Sequence, residues 1–303
     1  MKKYILTFVL SLLLIVIVIY NDKLSDYLCN TLINKPIIVN TKPNEYKKNY
    51  DFRYVKNSDD FVPYGYHDLI NLIYTVFNNG YDTFTFYCPS EYKDCTEDIK
   101  MISKDDEILT DINNYVHPFN NFSNLTTIID SSGQITMNIT HVYTNEQITK
   151  IKEKVKIIEN EIYDKDDDLV DKLKKAHDYI INNSSYDMDR KNKNSTKYAS
   201  NIAYGPLFEG KAICSGYADA MAIFITNLGI KNYKVASNTH VWNAVYIDNE
   251  WLHIDVTWDE QIDVMGKESL IHKFFLINSD NLKKYATTDH EFNESVYREF
   301  FHQ

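Results

Sequence analysis

Basic residues are the first shortage in this 303-residue chain: 32 Lys and Arg stand against 43 Asp and Glu, for a net charge of −11. The acid is spread along the chain rather than gathered in a tail. A surface of that sign repels a phosphate backbone, so no nucleic acid is expected as a partner. Thiols are the second shortage. There are four cysteines and no C-x-x-C pair, so the close-spaced thiolates of a structural zinc site are missing. Closely spaced acids in the pattern of a calcium loop are absent as well. What the chain does have is 44% hydrophobic and 25% charged residues. That excludes a disordered protein and suffices for one large domain or two small ones.

The longest uncharged run stands at the start, where "MKK" precedes the 17 residues "YILTFVLSLLLIVIVIY". Its length lies between a signal-peptide core and a full membrane span. No small-x-small cleavage site follows, so residues 1–21 are read as an uncleaved signal anchor and transmembrane helix. Lys2 and Lys3 set the N-terminus in the cytoplasm and the rest outside the cell membrane. A cleaved signal peptide is the alternative, with secretion in place of attachment. The abundance of Asn, Lys, Ile and Tyr is that of an AT-rich bacterial coding sequence. Residues 22–60 are polar, carry Pro36 and Pro43, and read as a juxtamembrane linker.

Residues 61–143 read as a small α/β module. They hold a helical patch "HDLINLIYTVFNNG", an alternating strand "YDTFTFYC", a polar helical stretch, and a hairpin "TTIIDSSGQITMNITHVY" turning at Ser132 and Gly133. Outside the cytoplasm disulfides are allowed, and Cys88 and Cys95 can close a small loop. Cys29 sits beside the membrane run, and Cys214 is left without an evident partner.

From residue 144 the pattern turns helical. "TNEQITKIKEKVKIIENEIY" places Ile148, Ile151, Val155, Ile158 and Ile162 on one stripe, with Thr144 and Gln147 as a capping box. "DDDLVDKLKKAHDYIIN" carries Leu169, Leu173, Ala176 and Ile180 on one face, with aspartates at the positive end of the helix dipole. His177 and Asp178 are adjacent and point about 100° apart, so they are read as structural. The next helix begins in "GKAICSGYADAMA", with Ala218, Met221, Ala222, Ile225 and Leu228 as its stripe and Gly229 as its stop. This puts Cys214 at the first turn. The dipole and unpaired N–H groups there favour thiolate over thiol, which makes a nucleophile if a base can reach it.

The base is sought in "NTHVWNAVYIDNEWLHIDVTWDE", which alternates like two strands about a turn at Asp248 and Asn249. A two-residue loop sets Tyr246 opposite Trp251, Trp242 opposite Asp255 and His240 opposite Thr257. His240 and Asp255 then share a face as diagonal neighbours, about 7–8 Å apart at the backbone. An odd-numbered loop would send Asp255 to the other face. A zinc site from Cys214, His240 and His253 is the weaker reading, since His253 has no close-spaced second ligand.

Three segments, "AICSGYADA", "HVWNAVYID" and "WLHIDVTWDE", resemble the transglutaminase-like superfamily, the papain-like fold shared by transglutaminases, many bacterial cysteine peptidases and peptide N-glycanase relatives. The likeness extends through "LKKAHDYIINNSSYD", "AYGPLFEGKA" and "HKFFLINSDNL…DHEF", from about Asp166 to Phe292. It implies an α+β fold in which residues 144–303 form a catalytic domain, the nucleophile standing at a helix N-terminus packed on an antiparallel sheet. It implies Cys214 as nucleophile, His240 as general base and acid, and Asp255 as the residue orienting His240, with Trp242, Asn243 and Trp258 as site wall. The implied reaction is acyl transfer from a protein or peptide amide through a thioester, without metal or organic cofactor. Hydrolysis and transamidation remain open, as does a non-catalytic binding module on the same fold.

Overall fold

The computed structural model describes residues 42–130, 133–262, 268–285 and 288–301. The anchor assigned to residues 1–21 lies outside the described residues. Among the described residues, no helix is long and apolar enough to cross a membrane.

The first part of the chain folds as α1 (Tyr66–Asn78), β1 (Thr83–Tyr87), α2 (Cys95–Ile102), α3 (Asp106–Asn114), β2 (Phe122–Ile129) and β3 (Gln134–His141). β3 pairs antiparallel with both β1 and β2, giving the sheet order β1-β3-β2. The period-two pattern of β3 turns Ile135, Met137 and Ile139 inward. Cys88 and Cys95 form a disulfide, with Cα atoms 5.8 Å apart.

Next come α4 (Asn145–Ile162), α5 (Leu169–Asn183), β4 (Ser185–Tyr186), α6 (Met188–Lys193), a π-helical turn (Gly205–Glu209) and β5 (Lys211–Ala212). Thr144 and Gln147 form the expected capping box of α4, and Asp168 caps α5 with Asp171 in the same way. The two stripes are buried at Ile151, Val155, Ile158, Leu173, Ala176 and Ile180, whereas Leu169, at the very start of α5, is exposed. The centre of the molecule is α7 (Cys214–Asn227), whose C-terminus is closed by Gly229 at φ +74°.

α7 packs on a four-stranded antiparallel sheet of order β11-β8-β7-β6, built from β6 (Asn232–Ala236), β7 (Val241–Ile247), β8 (Glu250–Ile254) and β11 (Phe275–Ile277). Between β8 and β11 lie the one-turn α8 (Val256–Asp259) and the pair β9 (Glu260–Ile262) and β10 (Glu268–Leu270). The last helix is α9 (Ser279–Tyr285).

Two sequence expectations fail on packing grounds. Residues 44–57 do not behave as spacer, since Phe52 and Val55 belong to the apolar core and Lys48 is buried with its Nζ donating to the Asn232 carbonyl at 2.7 Å. Burial, helped by nearby Lys234, holds the Lys48 ammonium well below the usual lysine range. The small module likewise shares its core with the part from residue 144 onward: one apolar cluster runs from Phe52 through Ile139 to Tyr233, Trp242 and Tyr297. A buried polar knot reinforces the join. Asp219 of α7 takes Lys234 at 2.7 Å, the Tyr143 hydroxyl at 2.7 Å and the Asn121 amide at 3.1 Å, so each charge is matched where water is excluded.

Candidate active site

Cys214 is the first residue of α7 and keeps a free thiol of intermediate exposure. Its position is fixed on both sides. The amide of Ile213 donates to the Ser200 carbonyl at 2.8 Å, and the Ser215 hydroxyl to the Asn201 carbonyl at 2.9 Å. Gly216 explains the glycine of the C-x-G-Y segment. A Cβ there would stand 2.2 Å from the Ser200 carbonyl oxygen, so only glycine lets the first turn of α7 lie against residues 199–205. Tyr217, fully buried, donates its hydroxyl to Glu260 at 2.6 Å and ties α7 to β9.

His240 enters from the opposite wall. It ends a tight turn between β6 and β7 in which Ser237 N–H donates to its carbonyl and its own N–H donates to Ser237 Oγ. The hairpin below it has the expected two-residue loop, with Asp248 and Asn249 both at positive φ and Tyr246 opposite Trp251. Pairing stops at Asn243 opposite Ile254. Asp255 is therefore not across from Trp242, nor Thr257 from His240. Asp255 leaves the strand instead as N-cap of α8, taking the Trp258 N–H at 3.1 Å. The pairing of the two side chains nevertheless forms, with His240 Nε2 lying 2.6 Å from Asp255 Oδ2. Nδ1 is then the ring atom left for sulfur, and the Cys214 thiol is a hydrogen-bond partner of the imidazole.

Electrostatics follow from that geometry. Burial disfavours the His240 cation most strongly, but the Asp255 carboxylate and then the Cys214 sulfur outweigh it and push the ring up to about 10. Asp255 is itself fully buried. Burial opposes its charge, yet His240 and then His290 hold the carboxyl far below the usual range. The His240 ring is thus held as imidazolium at neutral pH, beside the Cys214 sulfur.

His290 was not found by sequence reasoning. Its Nε2 lies 2.8 Å from the same Asp255 oxygen, and its ring is buried against Phe274 and Trp258. The signal was present in "DHEF", but 35 residues separate it from Asp255 and no spacing rule connects them. Tyr186 is a second addition. Burial and then the nearby Cys214 raise its hydroxyl to about 12, and it lines the cleft.

That cleft has a volume of about 850 Å³ and is walled by Tyr186, Ile213, Cys214, His240, Trp258 and Glu260, among others. Trp258 is the one member of the expected wall that reaches it. Trp242 is buried behind His240, stacked at 5.6 Å, and donates its indole N–H to His253 Nδ1 at 3.0 Å. Asn243 is fully buried and donates to the Ala218 carbonyl at 2.9 Å, clamping β7 to α7 rather than facing substrate. His253 does not join Cys214 and His240. Burial lowers it to about 3, so it is a neutral ring between Trp242 and Ser279. Among the described residues, the ring nitrogens and carboxylates of His240, Asp255 and His290 converge, as do those of His177, Asp178 and His272. All three residues of the first set are buried, whereas the second set is partly open to solvent.

Residues 156–256 match the family model of the transglutaminase-like superfamily. The chain carries a transglutaminase-like core. The matched segment runs from α4 to the start of α8 and includes Cys214, His240 and Asp255. Among solved structures, a TGase shares 18% identity at TM-score 0.35, covering 56% of this chain and 50% of its own. A Cytophaga hutchinsonii protein described as a candidate cysteine protease shares 13% identity at TM-score 0.28, covering 45% of this chain and 62% of its own. The chain thus spans about half to three-fifths of the length of these structures. No curated protein matches the sequence.

Proposed function

We propose that this protein is a cysteine-dependent acyl-transfer enzyme acting on protein or peptide amides, with Cys214 as nucleophile, His240 as general acid and base, and Asp255 as the group that orients His240. One observation carries the reading: an accessible thiol at a helix N-terminus shares a cleft with an imidazole whose far nitrogen is held by a buried carboxylate at 2.6 Å.

Sulfur attacks the amide carbonyl, and the His240 imidazolium gives its proton to the departing amine, leaving a thioester. The tetrahedral oxyanion is met by the backbone N–H of Cys214, which the helix itself leaves unpaired, and the Tyr186 hydroxyl is the second donor we assign. The acceptor then loses a proton to His240 as it attacks the thioester. Water yields an acid and an amine yields a new amide, and thiolate and imidazolium return. We favour hydrolysis, because no feature of the sequence suggests a dedicated amine site; protein-glutamine transamidation is the alternative.

An extracytoplasmic, membrane-attached setting is part of the proposal. It is supported by the Cys88–Cys95 disulfide, a bond that persists in oxidising compartments. The test is to incubate the protein with a casein-like substrate and a labelled amine. Released peptides without label identify a peptidase, incorporated label identifies a transamidase, and neither, with Cys214 inert to electrophiles, defeats the reading in favour of a binding module.

A further inference from the structure

His177 and Asp178 looked structural in sequence because neighbours on a helix diverge, but the fold brings a third residue to them. His272, on the approach to β11, places Nε2 2.7 Å from Asp178 Oδ1, while His177 Nδ1 approaches the same oxygen at 2.9 Å. The three donor atoms all lie within 4.8 Å of one another. We propose that His177, Asp178 and His272 form a divalent transition-metal site suited to Zn²⁺, at the opposite end of α8 from Asp255.

The donor set is the first support: two imidazoles and a carboxylate suit zinc among first-row ions, with a fourth position open to water. Access fits that count. Asp178 and His272 are about a third exposed, at 30% and 33%, and His177 is fully buried behind them. The second support is independent of the donors. The other ring nitrogen of His177, Nε2, lies 3.2 Å from Asp259 Oδ2, and both residues are fully buried. A ligating histidine usually gives its distal N–H to a carboxylate, which fixes the tautomer and leaves the proximal nitrogen free for metal. Asp259 is itself held, its Oδ1 receiving the Phe274 N–H at 2.9 Å.

His177 lies between two aspartates, Nδ1 2.9 Å from Asp178 and Nε2 3.2 Å from Asp259. A metal on Nδ1 would take the place of the Asp178 contact while Nε2 stays facing Asp259. The consequence is mechanical. The ion would clamp the segment leading into β11 onto α5, and through Asp259 it would brace the single-turn helix whose N-cap is Asp255.

The experiment uses the full chain made without a polyhistidine tag, with Cys29 and Cys214 both replaced by alanine so that no free thiol competes. After treatment with a chelator, Zn²⁺ is titrated against a chromophoric chelator, and Co²⁺ reports coordination through its visible spectrum. One equivalent of either ion should bind, and Zn²⁺ should raise the melting temperature. His272→Ala should abolish binding; because that residue is on the surface, its circular dichroism should match that of the metal-free parent. Asp259→Asn should weaken binding by about 10–100-fold, and His290→Ala should leave it unchanged. Absence of stoichiometric binding, binding that survives His272→Ala, or binding lost in His290→Ala would each overturn the proposal.

Discussion

Asp255→Asn is the sharpest perturbation of the proposed triad, because it removes a charge while keeping the shape. The carboxylate is fully buried and takes His240 at 2.6 Å and His290 at 2.8 Å through one oxygen. His240 is held up at about 10 from an ordinary 6.5, which corresponds to about 5 kcal/mol of preference for imidazolium at about 1.4 kcal/mol per tenfold. Burial opposes that preference, and Asp255 contributes more to it than sulfur does. A charge-assisted hydrogen bond lost at such a site is worth about 3 kcal/mol, or about a hundredfold in the population of the His240 imidazolium that partners the sulfur. Asparagine remains a good N-cap for the Trp258 N–H, so the fold should persist. The assay is the rate of Cys214 alkylation by iodoacetamide at pH 7, read by mass spectrometry beside circular dichroism. Asp255→Asn should slow it by about a hundredfold, and His240→Ala should slow it comparably. Undiminished labelling of both variants would refute the triad and leave a binding module on the same fold.

The raised proton affinity of His240 makes a stability prediction with a definite sign. Its contribution is complete below about 6.5 and is lost as pH rises to about 10, so the melting-temperature gap between wild type and His240→Ala should narrow across that window. A gap that widens contradicts the ion pair. Gly216→Ala sets a Cβ 2.2 Å from a backbone oxygen that cannot swing away. Overpacking of this kind costs about 1–3 kcal/mol, measurable by urea denaturation, and unchanged stability would mean that the contact between α7 and residues 199–205 is looser than described. Replacing the Cys88–Cys95 pair by alanines opens a seven-residue separation. Chain entropy gives a loss of about 2–3 kcal/mol, and Cys214 alkylation should be unaffected, since the bridge belongs to the first module. Tyr186→Phe should lower kcat with KM little changed if its hydroxyl meets the oxyanion, whereas a rise in KM alone would make it a binding residue.

Local rules explain what could be read in advance. The capping box at Thr144, the stripe through Val155, the stop at Gly229 and the two-residue turn at Asp248 and Asn249 each depend on neighbours within one or two turns of chain. The fold kept all four. Cys214 at a helix start was legible for the same reason, and His240 and Asp255 were legible because a hairpin register carries side-chain facing across the strands. Even there the sequence could not show that pairing ends at Asn243 and that Asp255 turns out of the strand to cap α8. What only the tertiary structure decided depends on contacts between residues far apart in the chain. Burial of Phe52 and Val55, which makes core of an apparent spacer, requires partners as distant as Tyr233 and Trp251. The fixing of Asp255 by His290, the retreat of Trp242 and Asn243 behind the cleft, and the meeting of His272 with His177 and Asp178 likewise join segments that no periodicity relates. A repeat of 2 or 3.6 residues tells which face of an element is apolar; which element covers that face is set by packing over the whole chain.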